Sequence, residues 1–99
     1  MINSGFSIRV SPRAQKEIIE AIAYYQERSP QAPKHFIQSI ENCYKQLKLN
    51  PNYAVRYKNI RSIKFRKFPF SFFFVILEEE KVIEILSCFH NKRNPKRKP

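Results

Sequence analysis

The sequence predicts an α+β fold of order β-α-α-β-β-β, with a two-helix hairpin packed on one face of an antiparallel-rich sheet. Three observations predict it. Two consecutive stretches, each opened by a Ser-Pro pair, carry apolar residues at helical spacing. The stretch from Phe65 to His90 reads instead as two strands, aromatic and β-branched, joined by an acidic turn. A chain of 99 residues buries about 65% of its unfolded surface, enough for a single core and a single domain.

Taken in order, Phe6-Ser7-Ile8-Arg9-Val10 alternates apolar and polar side chains, the period of a short strand. Ser11 offers a hydroxyl to cap an orphan helical N–H, and Pro12 suits the first helical position, where its missing donor costs nothing. Ala14, Ile18, Ala21, Ile22 and Tyr25 then share one stripe, while Arg13, Lys16, Glu17, Glu20 and Glu27 fall elsewhere. Ser29-Pro30 repeats the start signal, so the first helix ends near Arg28 and Pro33 lies in or before the next first turn. The second helix carries Phe36, Ile37, Ile40, Cys43, Tyr44 and Leu47 on its apolar stripe and stops at Asn50-Pro51. So short a link makes the pair an antiparallel hairpin.

Residues 52–62 read as a loop leading into a strand around Ile60 to Phe65. Phe68-Pro69 reads as a tight turn or bulge, because proline donates nothing to a ladder. The last two strands, Phe70 to Leu77 and Val82 to Phe89, turn at Glu79-Glu80. That tip pairs Ile76 with Ile83, Phe74 with Ile85, Phe72 with Ser87 and Phe70 with Phe89 on a nearly all-apolar face for the helices. The other face pairs Leu77 with Val82, Val75 with Glu84, Phe73 with Leu86 and Ser71 with Cys88. His90 joins this mixed face by parity, which makes it the expected working face.

Charge is the strongest global signal. Nineteen Lys and Arg stand against eight acids, all Glu, for a formal +11. Residues 50–77 hold six basic residues and no acid, residues 85–99 hold five and no acid, and the remainder cancels. Clustering of this kind points to a polyanion or an acidic protein as partner, since a charge serving solubility is spread out. The tail from about residue 94 to 99 has only prolines to anchor it and is expected to be flexible. Cys43 and Cys88 fall among apolar residues with no C-x-x-C and no apolar leader, so both are expected reduced, buried and cytoplasmic. His35 and His90 form no cluster of zinc spacing, one glycine gives no phosphate cradle, and the longest apolar run is six residues. Neither a metal, a cofactor nor a membrane span is expected.

Metal-free RNA cleavage requires a base for the 2′-OH, a cation at the phosphate and an acid for the leaving oxygen. Arg61, Arg66 and Arg93 can supply the cation, and His90 can act as acid or base. His90 fits equally well as a strand cap bonded to a carbonyl, and Arg61 and Arg66 as braces on backbone carbonyls. No acid lies between Asn42 and Leu77, and no aromatic follows Phe89, so the set is incomplete. Arg56, Tyr57, Lys58, Lys64, Lys67, Lys92, Lys96 and Arg97 are candidates for nucleic-acid or target contact, with Tyr57 able either to stack on a base or to cover the sheet edge. His35 reads as a surface residue. If Arg61, Arg66, His90 and Arg93 converge at the Pro69 end of the sheet, their mutual repulsion awaits an anion.

Four stretches together resemble one family: a strand leading into Ser11-Pro12-Arg13-Ala14 with Ala23-Tyr24-Tyr25 at the helix end; Asn50-Pro51 followed by Val55-Arg56-Tyr57-Lys58-Asn59-Ile60-Arg61; Phe65-Arg66-Lys67-Phe68-Pro69-Phe70; and His90-Asn91-Lys92-Arg93-Asn94-Pro95. In order and spacing they resemble the RelE/ParE superfamily of bacterial toxins from type II toxin–antitoxin systems. The resemblance implies a plasmid-stabilisation toxin silenced by an acidic cognate antitoxin. RelE-like members cut messenger RNA on the ribosome, whereas ParE-like members poison DNA gyrase. The H-x-x-R-x-P ending and the incomplete acid/base set resemble the ParE side. A basic module that binds nucleic acid is the third reading.

Overall fold

The computed structural model describes residues 5–50, 55–57 and 59–92, with residues 55–57 described as backbone. The basic tail, Lys58 and Arg93 lie outside the described residues. Seven elements follow in order: β1 (Ser7–Val10), α1 (Pro12–Gln26), α2 (Ala32–Leu49), β2 (Val55–Tyr57), β3 (Ile60–Lys64), β4 (Phe70–Leu77) and β5 (Val82–His90). They form one sheet of order β1-β5-β4-β3-β2. Its ladders are antiparallel except for β1, which pairs in parallel with β5. The fold is the predicted α+β arrangement with one further strand, since β2 pairs with β3 in the stretch read as a loop.

Local chemistry sets the helix ends. The Ser11 hydroxyl accepts the Ala14 N–H at 3.1 Å, with Pro12 at the first helical position. The second Ser-Pro behaves differently. Ser29 accepts the Gln31 N–H at 3.3 Å through its hydroxyl and the Ala32 N–H at 3.3 Å through its carbonyl, which makes a turn, and α2 begins only at Ala32. Pro33 sits in the first turn of α2, and Asn50 closes the helix. Between β3 and β4 the Phe70 N–H reaches back to the Phe68 carbonyl at 2.8 Å across Pro69, a γ-turn that needs no donor from proline.

The apolar stripes of both helices meet one face of the sheet, except that Ile37, expected on the second stripe, is exposed at the side of α2. Phe72, Phe74, Ile83 and Ile85 are fully buried there with Phe36 and Leu47, and Ile40 belongs to the same cluster. Ile18, Ile22 and Phe68 pack against that cluster while partly buried. At the Pro69 end the core is aromatic: Phe36 lies 5.2 Å from both Phe68 and Phe70, and Tyr25 lies 5.0 Å from Phe68. The apolar strand pair is therefore covered by the chain's own helices.

The hairpin register holds from Leu77–Val82 to Phe74–Ile85 and then shifts. Leu86 is an extra residue in β5, so Phe73 faces Ser87, Phe72 faces Cys88, Ser71 faces Phe89 and Phe70 faces His90. This corrects the expected pairing below Phe74. The cause is α1. The Ser11 hydroxyl donates to the Leu86 carbonyl at 3.1 Å, and one oxygen of Glu17, Oε1, accepts both the Ser87 hydroxyl and the Cys88 N–H at 2.9 Å. Groups freed from the ladder by a bulge thus find partners on the helix. Past the bulge the pairing of β5 against β4 is offset by one residue, which reverses the parity of β5 from Cys88 onward. Cys88 and His90 move to the helix side, and Phe73 and Phe89 pair on the other side with ring centroids 5.6 Å apart. The expected working face of Ser71, Glu84, Cys88 and His90 is therefore not one surface.

Phe74→Ala is expected to cost about 3–5 kcal/mol in denaturant unfolding, the usual range for emptying a fully buried aromatic site. Glu17→Ala should cost about 2–4 kcal/mol, because it leaves the buried Ser87 hydroxyl and the Cys88 N–H without an acceptor. Glu17→Gln keeps an oxygen there and should recover most of that loss. Equal destabilisation by both Glu17 variants would show that the carboxylate charge matters rather than its two hydrogen bonds.

Candidate functional site

The bulge decides what surrounds His90. Its ring lies 4.8 Å from that of Phe70, edge to face, and its Nδ1 accepts the Lys92 N–H at 3.2 Å. The Asn91 N–H donates to the Pro69 carbonyl at 2.8 Å, which ties the end of β5 to the β3–β4 turn. Strand end and turn therefore meet, as the sequence suggested, although His90 faces the other way.

Two grooves flank this end of the molecule. The first, of about 590 Å³, runs between α1 and β5 and is lined by Arg13, Glu17, Glu20, Ala21, Ala23, Tyr24, Glu27, Phe70, Cys88, Phe89 and His90. Its floor is apolar and its rim acidic. Among the described lining residues its fixed cation is Arg13, which pairs with Glu17 at 3.4 Å. Burial pushes the Cys88 thiol far above its ordinary range, with the Glu17 carboxylate and Cys43 adding to the rise. Burial likewise raises Cys43 to about 11. Both thiols are free and buried, and at neutral pH neither supplies a thiolate nucleophile.

The second groove, of about 520 Å³, lies between α2 and the β3–β4 turn. It is lined by His35, Gln38, Ser39, Glu41, Asn42, Lys45, Arg66 and Lys67. All eight are residues of polar type; three of them, Lys45, Arg66 and Lys67, are permanent cations and one, Glu41, is a carboxylate.

The sequence candidates are divided between these places. Arg66 and Lys67 line the second groove, and His90 lines the first. Arg61 pairs with Phe74 whereas His90 pairs with Phe70, a step of roughly 13 Å along the sheet, so Arg61 stands away from the strand end. Lys64, exposed, pairs with Ser71 and by parity points away from the helices. Lys92 is exposed just past β5. Arg56 and Tyr57 lie on the edge strand β2, whose side chains are not described. Lys58, Arg93, Lys96 and Arg97 lie outside the described residues. Sequence reasoning missed Glu17, Glu20, Glu27 and Tyr24 beside His90, because a helix and a strand some 60 residues apart carry no shared local signal. His35, read as a plain surface residue, lines the basic groove.

Among the described residues no group of three or more His, Cys or Glu is placed to hold a metal ion, and no helix is long and apolar enough to cross a membrane.

The fold matches known structures over most of its length. One is a toxin–antitoxin structure described as the chromosomal ParDE system from P. aeruginosa, with TM-score 0.73, 22% identity, and coverage of 87% of this chain and 96% of that one. Another is the RelBE2 toxin–antitoxin complex from Mycobacterium tuberculosis, with TM-score 0.60, 15% identity, and coverage of 87% and 91%. At such identities the likeness establishes the fold. No curated protein matches the sequence. Residues 8–95, nearly the whole chain and every described element from Ile8 onward, match the family described as the ParE toxin of type II toxin–antitoxin systems, parDE. The strand–helix–helix–sheet order, the residue stretches and this match agree, and the chain belongs to the ParE toxin family.

Proposed function

We propose that this type II toxin inhibits growth by binding an essential target such as DNA gyrase rather than by cutting RNA, and that an acidic cognate antitoxin neutralises it. The observation that carries this reading is the lining of the His90 groove. Glu17, Glu20 and Glu27 line the same groove as the imidazole, and the described cation in the lining, Arg13, is already paired. A scissile phosphate entering there meets carboxylates, whereas cleavage needs a concentration of positive charge on the crowded phosphorus. A protein surface with a basic and an apolar side chain suits an acidic rim over an apolar floor. In this reading His90 and Lys92 at the tied end of the sheet, with Arg93 next in sequence, make the target contact. The antitoxin is drawn by the formal +11 of the chain rather than by exposed core, because the apolar sheet face is already filled.

Expression alone should arrest growth, and coexpression of an acidic protein encoded beside it should restore it. The double variant His90→Ala, Arg93→Ala should lose growth inhibition with a melting temperature close to that of the parent. In arrested cells, impaired plasmid supercoiling with intact messenger RNA supports the gyrase reading. Cleaved messenger RNA that the double variant spares replaces it with the ribosome-dependent nuclease reading. Antitoxin association should slow by roughly tenfold between low and high salt, and a rate indifferent to salt overturns the electrostatic part.

A further inference from the structure

The groove between α2 and the β3–β4 turn has a chemistry that the toxin reading does not use. On α2, His35, Gln38, Ser39, Asn42 and Lys45 follow at three- and four-residue spacing and form one stripe. Arg66 and Lys67 stand across from it on the turn, both exposed. Three permanent cations thus face one carboxylate, Glu41, and two amides and a hydroxyl add neutral hydrogen-bonding groups. Lys34 and Lys48, both exposed, fall on the same helical row as Gln38, Glu41 and Lys45. They extend positive charge over a track of about 21 Å, fourteen residues of helix at ~1.5 Å each.

We propose that this groove holds the phosphodiester backbone of a nucleic acid without reading its base sequence. Arg66 offers the planar fork that takes a phosphate through two parallel hydrogen bonds, and the lysines act as point charges along the track. The lining contains no apolar side chain, so a peptide that folds on binding finds no anchor there. The α1–β5 groove, with Tyr24 and Phe70, is where such anchors exist. No Phe, Tyr or Trp is among the lining residues, so stacking is confined to the His35 ring and the Arg66 plane, and the fixed cations direct contact mainly to phosphates. Glu41, in the middle of the row, opposes the anion and keeps the binding weak and sensitive to salt. The proposal uses a different groove from the target contact above and holds whichever target the toxin has.

The test is fluorescence anisotropy of the purified full chain with a labelled DNA duplex of about 20 base pairs at several salt concentrations. Arg66→Ala with Lys67→Ala should weaken binding ~10-fold or more at low salt and reduce the slope of log K against log salt by about 1.8, the loss of two phosphate contacts on duplex DNA. Lys45→Ala, a single change on an exposed helix position, should reduce the slope by about 0.9. Glu41→Gln should tighten binding several-fold, a gain that no folding defect can produce. Lys16→Ala, exposed on α1, serves as the control for diffuse charge and should change affinity less than about twofold. Unchanged affinity and slope in the double variant overturn the proposal, as does an equal loss in Lys16→Ala. A polyglutamate peptide of matched charge that competes as well as the duplex overturns it in favour of an acidic protein partner.

Discussion

The grip of α1 on the bulge in β5 is the interaction on which the rest of the structure depends. Ser11 and Glu17 lie six residues apart on one side of α1 and together bind Leu86, Ser87 and Cys88. A bulge alone leaves backbone groups without ladder partners, and a capping serine alone leaves a spare hydroxyl hydrogen. Each supplies what the other lacks, so the helix start, the helix's seat on the sheet and the strand's change of face are fixed by one small set of bonds. Ser87 is fully buried, which makes the Glu17 acceptor obligatory rather than ornamental. The parallel strand β1 follows from the same arrangement, since Ser11 also donates its N–H to the Ile85 carbonyl at 3.0 Å.

That constraint also separates two kinds of surface. By turning His90 to the helix side, the bulge places an imidazole in the groove that the carboxylates of α1 line, and not in the one lined by the basic residues of the β3–β4 turn. The net charge of the chain conceals this division. A strongly basic protein carries an acid-rimmed groove with an apolar floor on one side of its aromatic end and a polar, basic groove on the other. Phe36, Phe68, Phe70 and Tyr25 form the wall between them, with ring contacts of 5.0–6.3 Å that keep the two linings apart. Removing part of this wall affects both grooves together, whereas the exposed cations of the turn can be changed without touching it.

The acidic tip of the last hairpin serves the fold. Arg9 of β1 lies 3.4 Å from both Glu80 and Glu84, and Lys81, in the left-handed region at φ 57°, accepts the Ser7 N–H at 3.0 Å. The exposed ion pairs are worth little individually. Their place beside the backbone contact helps set the register of the parallel strand, which no hairpin turn specifies.

The sequence by itself determined the elements whose causes are local. Helical spacing marked Ala14 to Tyr25 and Phe36 to Leu47 as buried stripes, Ser11-Pro12 marked a helix start, and the Glu79-Glu80 tip fixed the register from Leu77 to Phe74, because each of these rests on neighbours within a few residues. The family was legible for a related reason: its motifs are short runs whose order survives in the chain. The tertiary structure alone decided the rest. Ser29-Pro30 is spelled like Ser11-Pro12, yet it makes a turn, since the first serine bonds a strand as well as a helix. β2 was not legible because a three-residue edge strand depends on its partner more than on its own pattern. The bulge at Leu86 was illegible because its cause is the Glu17 carboxylate, about 70 residues away in sequence. One inserted residue reverses strand parity, so the faces of Cys88 and His90, and with them the composition of the candidate site, were set by a helix–sheet contact that no local pattern records.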